Sequence, residues 1–317
     1  MSVLTYPEAA VIGALQGFSE LFPISSLGHS VLLPALIGGS WAHDLNVSRA
    51  ESPYLAFIVG LHVATAAALI VFFWRDWIRI VRGLLTSIRD RRVENSDQRL
   101  AWMLVLATIP VGITGLLLEH TFRTTLSKPT ATSAFLALNG VILLGAEQLR
   151  RRSLATSREI QPDQVDRLAA GTVAGGTVVL DEREISVESD RAISKMPMKR
   201  AVLIGSAQIA ALCPGISRSG VTMSTGLLRG LSHEDAARFS FLLATPVILA
   251  AGLLKIPDLT GSLGKGIHGQ ILVGSLLSFV TAYLSVRFLT KWFQFRSLRP
   301  FGIYSLIVGL GCLFYFI

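Results

Sequence analysis

Two short polar runs, each set inside an apolar segment, carry the groups in this chain that could do chemistry. The first is Gln16-Gly17-Phe18-Ser19-Glu20, running into Pro23-Ile24-Ser25-Ser26-Leu27-Gly28-His29. Gln16 and Glu20 are four apart and share one face of a helix. The Ser25-Ser26 pair supplies hydroxyls at a break, and His29 lies just beyond it. A carboxylate, a hydroxyl and an imidazole in one hairpin are the parts needed to activate a nucleophile.

The second run is Pro214-Gly215-Ile216-Ser217-Arg218-Ser219-Gly220-Val221-Thr222. Arg218 carries a permanent charge and a planar fork of donors that matches phosphate oxygens. The small residues around it let backbone approach an anion, and a half-helix starting near Gly220 would aim its N-terminal amides at the same place. Ser217, Ser219 and Thr222 add hydroxyls, so the run reads as a phosphate clamp. The plainer alternative is a structural ion pair between Arg218 and Glu20, which would not require the flanking hydroxyls and glycines. An ionisable side chain at membrane depth costs about 2.5–3.5 kcal/mol on insertion scales and marks a functional site by default.

Other polar residues carry less. His62, inside an apolar segment, reads equally as a bond between helices or as a site residue. Gln208 is the counterpart of Gln16, or a bond to a neighbouring helix. Arg229, His233, Glu234, Asp235 and Arg238 read as a solvated cap, with Ser232 and Asp235 as a helix start. Glu119 and His120 end a span, and Trp74, Trp77 and Trp292 suit a membrane–water boundary. Cys213 and Cys312 have no CxxC spacing, so neither a disulfide framework nor structural zinc is expected.

The elements that position these groups belong in a membrane. Of 317 residues, 51% are apolar and 16% charged, and the mean hydropathy is +0.55, a composition whose solvent is a bilayer. Residues 54–73, 100–118, 131–149, 237–254, 270–289 and 301–317 are long and apolar enough for full spans. Residues 8–38 and 201–231 are each cut by Pro, Gly and polar residues and read as re-entrant hairpins, since broken backbone at depth needs protein or a wet cavity to satisfy it. No basic leader with a small-residue cleavage site is seen at the N-terminus, which is expected to stay in the mature chain.

The hairpins also resemble each other. Ile12-Gly13-Ala14-Leu15-Gln16 matches Ile204-Gly205-Ser206-Ala207-Gln208 at Ile, Gly and Gln, and Pro23 and Pro214 follow. Three spans after each hairpin invert the second copy relative to the first. The expected fold is therefore an all-α polytopic membrane protein of two inverted repeats, 1–149 and 201–317, separated by an insert at 150–200. The net charge of +8 follows membrane sidedness rather than nucleic acid. Residues 74–99, 150–200 and 286–300 hold seven, ten and four Lys or Arg, against Arg49, Arg123, Lys128, Lys255 and Lys265 opposite. The richer side is expected to be cytoplasmic, with both termini outside. Within the insert, the alternating residues 177–187 suggest a small β-hairpin.

The two polar runs, with Phe239-Ser240-Phe241-Leu242-Leu243-Ala244-Thr245-Pro246 and Phe73-Trp74-Arg75, resemble the undecaprenyl-diphosphatase family, also called the bacitracin-resistance protein family. The resemblance covers both repeats but not the insert, which is longer than the family leads one to expect. It implies removal of the terminal phosphate from undecaprenyl diphosphate in the bacterial plasma membrane, regenerating a lipid carrier for cell-wall synthesis. It implies Ser26 as nucleophile with His29 or Glu20 assisting, or water activated by Glu20. Arg218 would hold the phosphate and offset transition-state charge, with Gln16, Ser25, Ser217, Ser219 and Thr222 around it. The family pattern is Glu or Gln, three residues, then Glu. The Gln form at Gln16 leaves Glu20 the only carboxylate in the motif, so Mg²⁺ or Ca²⁺ would sit mainly on substrate oxygens and water. No organic cofactor is implied, and the partners are a polyprenyl diphosphate and membrane lipids. A carrier or flippase of a phosphorylated prenyl lipid would share most of these features, but would not need Ser26 and His29 together.

Overall fold

A computed structural model describes residues 4–45, 53–160, 182–254 and 266–317. Arg49, Lys255, Lys265 and residues 177–181 lie outside them. The described residues are helical, with no strand. In chain order the helices are α1 (Tyr6–Leu21), α2 (Ser26–Ile37), α3 (Gly39–Asp44), α4 (Pro53–Phe72), α5 (Trp74–Asp90), α6 (Ser96–Leu126), α7 (Pro129–Ile160) and α8 (Glu182–Ser194). Then follow α9 (Met198–Ser206), a 3₁₀ helix (Ala207–Leu212), α10 (Arg218–Leu228), α11 (His233–Leu254), α12 (His268–Phe295) and α13 (Arg299–Phe316).

Five helices (parts of α6 and α7, and α11, α12 and α13) are long and apolar enough to cross a bilayer, and α4 with α5 makes a sixth if that bent pair is one span. Leu116, Leu117, Leu272, Ile307 and Phe314 are exposed on their outer faces, where water would penalise them and lipid does not. The chain is a multi-pass membrane protein.

The interior is built on α11. Phe239, Phe241, Leu242 and Leu243 are fully buried against Met223 and Leu227 of α10, Leu69 of α4, and Leu100 and Met103 of α6. α1 lies along α12 and α7 along α13, at distances set by small residues. A Cβ on Gly17 would stand 2.1 Å from the Ser278 carbonyl oxygen, so only glycine lets α1 approach α12 this closely. α1 begins with a reciprocal cap, Thr5 Oγ1 accepting from the Glu8 N–H while the Glu8 carboxylate accepts from the Thr5 N–H.

Both polar runs interrupt helices. Residues 22–25 separate α1 from α2, and residues 213–217 separate the 3₁₀ helix from α10.

Three expectations are corrected. Residues 74–90, which the sequence leaves as the connection between the spans 54–73 and 100–118, are a helix: Ile78, Val81, Leu85 and Ile88 recur at three- and four-residue spacing between arginines, forming an apolar stripe. α5 turns 87° from α4. Second, residues 182–187 belong to α8 and not to a β-hairpin; the Glu-Arg-Glu start favours helix, and Ile193 docks in the core. Third, Arg238 is not part of a solvated cap. It is buried, with Nε and Nη2 donating to both oxygens of Asp190 at 2.7 and 2.9 Å. Nη2 also pairs with Asp76 at 3.0 Å, and the guanidinium lies over the Phe73 ring. Arg79 binds Asp76, Asp97 and Asp190. This network clasps α8 to α5 and α11. His233 is also occupied, between Glu147 and Arg150, while Arg229 is exposed.

Candidate active site

The first break is held in an uncommon conformation. Ser25 has φ +70°, a region that L residues avoid, and its Oγ accepts from the Gly28 N–H at 3.2 Å, capping α2. Ser217 caps α10 in the same way, accepting from the Gly220 N–H at 3.1 Å. Two half-helices thus begin at the breaks, and the breaks touch: a Cβ on Gly28 would lie 3.0 Å from the Cα of Gly215. Gly215 itself has φ +108° and packs against the Thr132 carbonyl, which excludes any side chain there.

Asn139 of α7 fixes one break to the other. Its Nδ2 donates to the Pro23 carbonyl at 3.0 Å and to Ser305 Oγ at 3.2 Å, while its Oδ1 accepts from the Ser217 N–H at 3.0 Å. Ser219 Oγ adds a bond to the Phe22 carbonyl at 3.3 Å. Asn139 is fully buried; its bonds satisfy backbone groups that neither break satisfies alone.

On this frame the reactive groups converge on Glu20. Its Oε2 accepts from Ser26 Oγ at 2.5 Å and from Gln16 Nε2 at 2.9 Å, and its Oε1 accepts from Arg218 Nη2 at 3.0 Å. Arg218 Nη1 is buried and has no hydrogen-bond partner among the described residues. A guanidinium with one arm on a carboxylate and the other arm unsatisfied is incomplete by itself, and an anion completes it. Ser26 stands in the first turn of α2, where the positive end of the helix favours negative charge.

The remaining sequence candidates divide. Ser217 and Ser219 share a bond of 3.0 Å, and Thr222 Oγ1 donates to the Arg218 carbonyl at 2.8 Å. With Ser25 they brace the breaks. His29 points elsewhere: Nδ1 donates to the Ser25 carbonyl at 2.7 Å, and Nε2 meets the Tyr304 hydroxyl at 2.8 Å. No direct hydrogen bond joins it to Ser26, Glu20 or Arg218 among the described residues. His62 does reach the cluster, with Nε2 3.4 Å from Gln16 Nε2 and 3.9 Å from Glu20 Oε2. Gln208 donates to the Gly205 carbonyl.

Asn139 and Tyr304 went unremarked in the sequence. Asn139 was findable as a lone amide inside an apolar span; Tyr304, one aromatic among many in α13, offered no signal.

The donors do not fit a cation held by protein. Among the described residues no three His, Cys, Asp or Glu side chains converge, and both Glu20 oxygens are engaged. The cluster is suited instead to holding a phosphate beside a hydroxyl whose proton already points at a carboxylate.

The sequence model of the family described as "Bacitracin resistance protein BacA" matches residues 9–311. A protein named undecaprenyl-diphosphatase from Mycolicibacterium paratuberculosis is 59% identical over 307 residues, covering 96% of this chain and 95% of its own. Undecaprenyl-diphosphatase 1 of Frankia casuarinae is 51% identical, with 98% of each chain covered. Undecaprenyl-diphosphatase 2 of Chromobacterium violaceum is 39% identical, with 97% of this chain and 98% of its own covered.

Proposed function

The chain belongs to the bacitracin resistance protein BacA family, and from this premise we infer that it is a membrane phosphatase. Its reaction is hydrolysis of undecaprenyl diphosphate to undecaprenyl phosphate and inorganic phosphate, which returns the lipid carrier to cell-wall synthesis and confers bacitracin resistance.

The observation that carries the assignment to this site is the unsatisfied Nη1 of Arg218, next to a Ser26–Glu20 bond of 2.5 Å. In the mechanism we propose, Arg218 binds the terminal phosphate and offsets the charge that spreads over its oxygens in the transition state. Ser26 Oγ attacks that phosphorus as its proton passes to Glu20 Oε2. The bond from phosphorus to the bridging oxygen breaks, and that oxygen leaves with the electron pair as part of undecaprenyl phosphate. Once Glu20 has released that proton to solvent, water hydrolyses the phosphoserine: the water's proton goes to Glu20 and on to the departing Ser26 oxygen, and inorganic phosphate is released. Attack by water with Glu20 as base uses the same geometry with Ser26 as a hydrogen-bonding group. His29, bonded to Ser25 and Tyr304, orients the start of α2 in this reading. Mg²⁺ or Ca²⁺ would be carried by diphosphate oxygens and water, and no step runs through it.

The site belongs, in this proposal, to a pair of inverted repeats opening outward, with the insert in the cytoplasm of the bacterial cell. The described basic segments support a single basic face: Arg79 pairs with Asp190, and Arg99 donates to the Met196 carbonyl. Gln270 bonds the Leu4 carbonyl and Thr130 the Phe316 carbonyl, joining both chain ends to the opposite helix ends.

The test is phosphate release from undecaprenyl diphosphate by purified protein in detergent. Release that depends on Arg218 and Glu20 supports the reading. Binding of the lipid without release under any cation condition overturns it in favour of a carrier.

A further inference from the structure

His62 sits in α4, 42 positions after Glu20 in the sequence, and both of its ring nitrogens are placed. Nδ1 lies 2.9 Å from the Ile58 carbonyl. A carbonyl oxygen only accepts, so Nδ1 carries the proton and, in the neutral ring, Nε2 is left as a bare acceptor. That acceptor faces Gln16. The Gln16 amide has two N–H groups, one aimed at Glu20 Oε2 at 2.9 Å and the other at His62 Nε2 at 3.4 Å. Gln16 thereby holds the imidazole and the carboxylate side by side, 3.9 Å apart.

Exposure separates the members of this cluster. The side chains of Glu20 and Arg218 are 7% and 14% exposed, while that of His62 is 31% exposed. Hydrolysis of a diphosphate near neutral pH releases one proton overall, and that proton first arrives on Glu20. Arg218 cannot take it, Gln16 cannot, and Ser26 has just given it up. An acceptor more open to solvent, with its lone pair toward the carboxyl group, completes the route.

We propose that His62 is a positioning residue for Glu20, which takes the proton from Glu20 to Nε2 and passes it to solvent, restoring the carboxylate for the second half of the reaction. A movement of about 1 Å brings the pair from 3.9 Å into hydrogen-bonding range. The Ser26 proton moves to Glu20 Oε2, then to Nε2, and the resulting imidazolium loses a proton to water. In the second half, the water proton passes through Glu20 back to Ser26 oxygen, so one proton leaves per turnover. The charged and titratable groups facing His62 are Glu20 on α1 and, beyond it, Arg218 on α10. α11 and α12 also pack on α4, through Gly252 against Val63 and Ser278 against Thr65. Residues 239–254 and 269–286 of those helices contain no Asp, Glu, His, Lys or Arg.

The proposal rests on the phosphatase reading and is tested apart from it. His62→Gln keeps a polar side chain but cannot take up the proton. The expected result is kcat lowered about tenfold or more, KM within about twofold, and loss or displacement of the acid limb of kcat/KM. Unchanged kcat and an unchanged acid limb in His62→Gln would overturn the role while leaving phosphate release intact. Nitrogen-15 NMR of the unaltered protein gives a second readout that needs no variant. A neutral His62 protonated at Nδ1 is expected, and one protonated at Nε2 overturns the proposal even if the variant does not fold.

Discussion

Arg218 and Glu20 stand 198 positions apart and meet through one bond of 3.0 Å, which leaves the second terminal nitrogen of the guanidinium buried and without a partner among the described residues. A purely structural pair has no use for that arrangement, because a lone buried donor costs about 1–3 kcal/mol. A bound phosphate removes the cost. Arg218→Lys should therefore keep the charge opposite Glu20 and much of the stability, yet lose at least tenfold in kcat/KM, since a point charge does not reproduce the two-armed contact. Arg218→Ala should lose about a hundredfold or more. Phosphate-release kinetics alongside thermal unfolding separate the two effects; a Lys variant with full activity would remove the two-armed requirement.

Ser26→Ala distinguishes the two routes for attack. With Ser26 as nucleophile, turnover falls by about a thousandfold or more and no phosphoenzyme forms. With water as nucleophile, the loss is nearer tenfold, the value of one hydrogen bond to Glu20. Rapid quenching of the unaltered protein with substrate labelled in the terminal phosphate should trap label on Ser26 in the first case.

How much of this was legible beforehand differs by the kind of physics involved. The breaks were visible, because Pro, Gly and Ser inside apolar segments conflict with a continuous span. Glu20, Ser26 and Arg218 were visible because charge and hydroxyl groups at depth need a reason. The local role of each hydroxyl was not: Ser25 and Ser217, read as phosphate ligands, also cap α2 and α10. Cap and ligand are written with the same residue types, and only geometry separates them. Arg238 was misread for a similar reason. Its partner Asp190 lies 48 positions earlier in an insert whose shape the sequence did not disclose, so its burial could not be foreseen. His62 was noticed, but its direction depends on the rotation of α4 against α1, which periodicity leaves undetermined in a helix apolar all round.

Asn139→Leu should disturb both breaks at once. The substitution keeps the volume roughly and strands the Pro23 carbonyl and the Ser217 N–H, which no neighbouring group replaces. A loss of about 1–3 kcal/mol per stranded group is expected. The surviving folded fraction should turn over at least tenfold more slowly, because Ser26 and Arg218 are positioned by those two breaks. Ser305→Ala, which removes only a partner of the same amide, should be much milder in both measurements.

Asp190→Asn tests the clasp on α8. The change leaves Arg238 buried with Asp76 as its remaining close ion-pair partner among the described residues, and Arg79 with Asp76 and Asp97. Removing one member of a buried ion network costs on the order of 3 kcal/mol, so the unfolding temperature should fall clearly. Turnover per folded molecule should stay within about twofold, because none of these residues contacts the cluster around Glu20. Protease cutting near α8 should increase, and an unchanged cutting rate would mean the network does not hold the insert.

Gly17→Ala tests whether the approach of α1 to α12 sets the position of Glu20. The new methyl would meet the Ser278 carbonyl oxygen at 2.1 Å and Thr281 Oγ1 at 2.2 Å. The first is backbone inside a helix and cannot rotate away, so α1 itself must shift. Overpacking of this kind costs about 1–3 kcal/mol. Because Gln16 and Glu20 ride on the same turn, the shift also lengthens the bonds from Arg218, Ser26 and Gln16, and kcat should fall with stability. Gly112→Ala is the control: a methyl there meets nothing within 4 Å, and alanine favours helix over glycine by roughly 0.5–1 kcal/mol. The control should be neutral or slightly stabilising at full turnover. If both variants behaved alike, contact between α1 and α12 would not be what sets the geometry at Glu20.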